Sequence, residues 1–189
     1  PPPPTWTPLP PPTSTPTPLP TPTETPTSVP ALVPTLGPPP PDTEGSLDVP
    51  AKEPGELVFA VAGDSRNDPE VYQRILDRIV ADGNAFLIHT GDLVNYGSAQ
   101  TFEPVQDMMN AFPLPFYPVP GNHDRDDDGT LNSYLSYSGA PDKHYSFDVE
   151  MVHLTMANSA TGRLSDEELA WIDADLLATD QPVKIVCLH

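Results

Sequence analysis

Four residues able to hold a metal ion stand directly behind short apolar runs: Asp64 after ELVFAVAG, Asp92 after AFLIHTG, Asn122 after FYPVPG, and His189 closing VKIVCLH. Carboxylate, side-chain amide oxygen and imidazole are hard or borderline ligands that suit Mn, Fe, Zn or Mg, and a metal so held acidifies water and polarises phosphoryl oxygens. One Gly-Asp behind a strand is usually a turn, since Gly permits tight turns and Asp caps helices. Four such placements, separated by 28, 30 and 67 residues, become chemistry only if the fold brings the strand ends to one edge.

The elements between them supply that possibility. ELVFAVA, AFLIHT and FYPVP read as buried strands, each ending in a polar turn. A helix is expected from Pro69 to Asp82-Gly83, with Val71, Ile75, Ile79 and Tyr72, Leu76, Val80 at helical spacing, and a second from Ser98 to Asn110 despite Pro104. HYSFDV and MVHLTMA are further strand candidates. Ser165 and Glu168 make a capping-box pattern before a helix carrying Leu169, Ile172, Leu176 and Leu177, and VKIVCLH is the last strand. Strands alternating with helices predict an α/β domain of βαβ units around a largely parallel central sheet, with functional groups at the strands' carboxyl ends.

Composition divides the 189 residues: 21 of the 29 prolines lie in the first 54 positions. Repeated Pro fixes φ and removes backbone donors, so residues 1–54 are expected to be a disordered Pro/Thr-rich stalk, extended as polyproline II, before a domain over 55–189. Such a stalk suggests an extracellular or cell-envelope location. The first residue is Pro1, so an export signal could precede it. The net charge of −19 offers no positive field to a polyanion, which argues against non-specific nucleic-acid binding and suits a cationic ligand. The single Cys187 excludes an intrachain disulfide, and no apolar run reaches the roughly 20 residues of a membrane span.

The blocks GDSR (63–66), GDLVNYG (91–97), GNHD (121–124) and the strand ending in His189 resemble the first four motifs of the calcineurin-like metallophosphoesterase superfamily. The resemblance implies a hydrolase of phosphomonoesters or phosphodiesters built on two divalent or trivalent metal ions and a bridging hydroxide. Asp92 would bridge the ions, Asp64 would bind one, and Asn122 and His189 the other. His123 would protonate the leaving oxygen, and Asp124 would orient it. Two departures matter. Arg66 stands where the family has a His ligand, and a guanidinium cannot ligate, so it either clamps a phosphate oxygen or makes a surface ion pair. The family's fifth motif, Gly-His-x-His, would lie beyond His189, so the domain is expected to be incomplete at its C-terminus, with weak metal binding and little activity in the 189 residues alone. The alternative is a non-catalytic surface binding module on a degraded site.

Other residues have blander expectations. DRDDDG (124–129) opens like a calcium loop, but Leu135 occupies the position of its bidentate Glu, leaving a solvated acidic loop. Tyr96 follows the bridging Asp by four residues and is expected in a loop or on the substrate side. His89, His144, His153 and Trp171 are expected to pack, and Cys187 to be an inert core thiol.

Overall fold

In a computed structural model the described residues are 56–189; the expected stalk over 1–54 lies outside them. Strands β1 (Ala60–Ala62), β2 (Leu87–His89) and β3 (Phe116–Pro118) form a parallel sheet in the order β1-β2-β3, joined by helices α1 (Pro69–Ala81) and α2 (Ala99–Ala111). These are the expected βαβ units. Each strand is three residues long, shorter than its apolar run: β1 and β2 leave out the first residues of theirs, and β2 and β3 leave out the last, which enter the turn.

The later strands do not join that sheet. β4 (Tyr145–Val149) and β5 (Val152–Met156) form an antiparallel hairpin, and β6 (Val183–Cys187) pairs parallel with β5. The hairpin follows from connection length: Glu150 and Met151 alone separate β4 from β5, and so short a link permits only antiparallel pairing. Glu150 takes the positive φ of 52° that the tight turn requires.

Side-chain alternation stacks the layers. Ile88 of the first sheet and Val119, just past β3, pack with Val152, Leu154, Met156 and Cys187 of the second, forming a core between the sheets. Leu87 faces the other way, onto Tyr72, Leu76 and Ile79 of α1 and Met108 and Met109 of α2. Of the two apolar stripes possible on α1, Tyr72-Leu76-Ile79 is buried, while Val71, Ile75 and Val80 are exposed. On the far side of the second sheet lies α4 (Asp166–Ala178), bonded to β5 through Asp175. The order is thus helices, sheet, sheet, helix.

The helix starts follow the sequence closely. Asp68 accepts the Val71 N–H with Pro69 at the first turn, and Ser98 accepts the Thr101 N–H. Ser165 caps α4 by accepting the Glu168 N–H, but the other half of the expected capping box is absent. The Glu168 carboxylate instead accepts the Asn158 N–H at 2.7 Å and pairs with His144 Nδ1 at 2.8 Å. Only Ile172 among the four apolar residues expected on the inner face of α4 is buried, and Leu169 and Leu177 are exposed. Among the described residues, no helix is long and apolar enough to cross a membrane.

Candidate metal centre

The turns behind β1, β2, β3 and β6 meet at one end of the two sheets. Donor atoms of Asp64, Asp92 and His189 lie within 4.8 Å of one another, and Asn122 Oδ1 is 3.2 Å from His189 Nε2. All four residues proposed as ligands from the sequence are therefore in one place. Asp64 and Asp92 both have left-handed backbones, with φ of 54° and 60°, a conformation that costs about 1 kcal/mol or more for a non-Gly residue and that Asp tolerates better than most. That turn reverses the chain and presents the carboxylate beyond the strand end.

His189 is oriented by its surroundings. Its Nδ1 lies 2.8 Å from the Thr90 carbonyl, which can only accept, so Nδ1 carries the hydrogen. Nε2 faces the space shared with Asn122 Oδ1 and, at 3.6 Å, Asp92 Oδ1. The main chain of His189 is fixed by Ser159, whose hydroxyl donates to its carbonyl and accepts its N–H. Three electron-rich atoms facing one gap are a donor set for a cation, and oxygen and nitrogen without thiolate fit Mn, Fe, Zn or Mg.

Asp92 is 1% exposed. Its Oδ1 accepts the His123 N–H at 2.9 Å, and its Oδ2 accepts from the Arg66 guanidinium. The bridging role implied for Asp92 asks for two free oxygens, and one of them is engaged by Arg66. Arg66 is an ion-pair residue, but its partner is the buried acid of the site rather than a surface carboxylate.

Asp124 has a different position from the one expected. Instead of orienting His123, its fully buried carboxylate accepts the backbone N–H groups of Gly121, Asp92, Leu93 and Val94 at 2.8, 2.9, 2.8 and 3.2 Å. It pins the turn behind β3 to the turn behind β2. Burial pushes this carboxyl up to about 6, against the backbone donors, which favour its charge. The group that orients His123 is the Asn95 carbonyl, 2.8 Å from Nδ1. Neither that carbonyl, nor Thr90's, nor the Ser159 hydroxyl carries a signal in the sequence, because any residue has a carbonyl and Ser is common in loops.

Two glycines let the turns touch. A Cβ on Gly121 would run into the Asp92 carboxylate and main-chain nitrogen, and one on Gly91, whose φ is 94°, would sit 2.7 Å from the Gly121 nitrogen.

Most of the remaining candidates fall as expected, but the acidic loop is not simply solvated, since its first carboxylate, Asp124, is buried. His89 is buried, with Nε2 at 3.0 Å from Ser65 Oγ and Nδ1 accepting the Gly91 N–H, and burial pushes it down to about 3. His144 stacks on Trp171 at 4.0 Å. Cys187 is buried, its thiol pushed up to about 11 by burial. The acidic loop of 124–129 spends its oxygens internally: Asp126 accepts the Ser133 N–H at the start of α3 (Asn132–Tyr137), a helix the sequence did not announce, and Asp128 accepts from Thr130. Tyr96 is 54% exposed, on a loop beside the site.

A profile of the calcineurin-like phosphoesterase family matches residues 57–189. The chain is 27% identical over 115 residues to a glycerophosphodiester phosphodiesterase, GpdQ, of Enterobacter lignolyticus, covering 54% of this chain and 41% of that protein. It is 26% identical over 105 residues to a 3',5'-cyclic-nucleotide phosphodiesterase of Nostoc, covering 54% and 40%. The chain therefore spans about two fifths of the length of these curated relatives. Purple acid phosphatase PPD1 from yellow lupin seeds is similar in fold, with a TM-score of 0.56 at 19% identity over 68% of this chain and 29% of that one.

Proposed function

Because the chain belongs to the calcineurin-like phosphoesterase family, we propose that it is a metal-dependent phosphoric ester hydrolase acting on a phosphomonoester or phosphodiester through a dinuclear centre. The observation that carries this is the convergence of Asp64, Asp92 and His189 donor atoms within 4.8 Å, with Asn122 beside them. Asp64, Asp92, Asn122 and His189 would hold the metal, which would supply Lewis acidity to the phosphoryl group and acidify water to a pKa near neutrality. His123 keeps its Nδ1 hydrogen on the Asn95 carbonyl, which leaves Nε2 to carry a proton to the departing alkoxide. Arg66 donates to Asp92 Oδ2 and, swinging from it, to a phosphate oxygen, where its planar fork matches two acceptors.

The test is metal depletion and restoration. In the full-length protein, chelation is expected to abolish hydrolysis of 4-nitrophenyl phosphate or its bis-ester and Mn to restore it, and the Asp92→Asn variant is expected to lose at least 100-fold in kcat/KM. Activity that survives chelation would end the proposal.

One observation favours the second reading, a binding module without catalysis: the Arg66 guanidinium already supplies a positive charge to Asp92. On that reading Arg66 substitutes for a metal. The Arg66→Ala variant separates the two, because it frees Asp92 Oδ2. The hydrolase reading expects tighter metal binding by roughly tenfold and a raised KM, whereas the module reading expects no metal binding in either protein. The Pro/Thr composition of residues 1–54 supports a location outside the cytoplasm, which fractionation of the source cells tests; recovery only in the cytosol would sink it.

A further inference from the structure

Beside the metal centre, between α1, α2 and the loop behind β2, lies a cavity of about 300 Å³. Its walls are mostly apolar, with Tyr72 from α1, Leu93 and Val94 from the loop, and Val105 and Met108 from α2, and Ser65, Asn95 and Thr101 add polar groups to the lining. Pro104 adds its apolar ring to the same wall. Among the described residues, the only charged one on the lining is Arg66, which donates to Asp92 at the centre. The cavity thus shares a wall with the metal site and presents no other charge. Tyr96, half exposed, also lines it, and the Thr101 hydroxyl donates to its carbonyl at 2.6 Å, which fixes that loop against α2.

We propose that this cavity is the recognition pocket for the organic group of the ester, and that the group is an uncharged aromatic ring system of up to two fused rings. The inference rests on the phosphoester reading above and names its substrate class. A cavity of about 150 Å³ lined by apolar side chains is enough for benzene, so twice that volume admits a bicyclic ring. Charge selects in the same direction. A carboxylate or ammonium at the end of the ring away from Arg66 would lose its hydration among Val94, Val105 and Met108, whose side chains offer it no partner, whereas the phosphate at the ring's other end meets Arg66. Tyr72 and Tyr96 offer aromatic faces and edges to a flat ring, and Arg66 adds a cation at its rim. A small polar alcohol such as glycerol would leave the cavity unfilled.

Non-hydrolysable phosphonates test this without requiring turnover. Calorimetric titration of the metal-loaded protein is expected to show 1-naphthylphosphonate binding at least tenfold tighter than methylphosphonate. The Val105→Phe variant, which fills the cavity from α2, is expected to abolish that preference and leave methylphosphonate affinity unchanged. Tyr96→Ala, at an exposed position that does not endanger folding, is expected to weaken only the naphthyl ligand, by about fivefold. Equal affinity for the two phosphonates, binding of neither, or a preference that survives both substitutions would overturn the pocket. Hydrolysis of naphthyl and methyl esters is scored separately. A naphthyl preference in binding with no hydrolysis of either ester would sink catalysis and keep the pocket, and equal hydrolysis of both with no binding preference would do the reverse.

Discussion

Asp124 shows how a residue can belong to a functional motif and serve it through the backbone. In the sequence it is the last letter of GNHD and reads as a partner for His123. In the fold it accepts four main-chain N–H groups from two turns, two of them flanking the Asp92 peptide. An unsatisfied buried N–H costs about 1–3 kcal/mol. Asp124→Ala is therefore expected to destabilise the protein by about 3 kcal/mol or more in urea unfolding and to weaken metal binding as the Asp92 turn loosens. If it only oriented His123, stability would be unchanged and the pH profile of kcat alone would shift. The histidine ligand can be read the same way: the imidazole of His189 is named by the sequence, but the ring nitrogen left for a metal is decided by Thr90's carbonyl, 99 residues away.

Among the elements, the attachment of α4 to the second sheet is polar as well as apolar. His153 of β5 lies between two carboxylates, Asp148 Oδ1 at 2.6 Å from Nδ1 and Asp175 Oδ2 at 2.9 Å from Nε2, and Asp175 also accepts from Ser146 at 2.5 Å and Thr155 at 2.7 Å. Burial would push His153 down, but the carboxylates of Asp175 and Asp148 outweigh it and hold the ring above its usual value. The sign follows from linkage. A histidine whose folded pKa exceeds the unfolded value of about 6.5 adds stability that is fully present below 6.5 and is lost as pH rises through the folded value. Thermal unfolding is expected to show a midpoint that falls as pH rises above neutrality, with the slope reduced in His153→Gln. An unchanged slope would place the titration elsewhere. The sequence placed His153 on a strand and expected it to pack. Its carboxylate partners lie 5 and 22 residues away on two other elements, and only the hairpin register and the docking of α4 bring them together.

At the scale of the whole molecule, four turns from two sheets must hold acidic groups close together in a chain of net charge −19. Asp92 is compensated by Arg66, but Asp64 and the lone pairs of Asn122 and His189 add negative potential to the same small space, so a bound cation should stabilise the native state over the unfolded one. Binding at 100 times the dissociation constant adds about 2.7 kcal/mol. Calorimetry is expected to show the melting temperature rising by several degrees with Mn and returning with chelator, and to show no rise in an Asp64→Asn/His189→Ala double variant. A rise that persists in the double variant would assign the stabilisation to another site.

By itself the sequence determined the local items: the polar turns behind apolar strands, the helix starts near Pro69 and Ser98 and the cap at Ser165, and the identity of the four ligand candidates. Each of these rests on interactions within a few residues, where propensity, capping and hydrophobic period act directly. Tertiary structure alone decided that β4, β5 and β6 form a second sheet packed on the first, that the Tyr72 stripe of α1 faces inward, that Arg66 takes an oxygen of Asp92, and that Asp124 pins backbone rather than imidazole. Those outcomes depend on which surfaces meet after the chain has crossed the domain. The partners are carbonyls, amides and carboxylates tens of residues apart, and local sequence has no means of recording them.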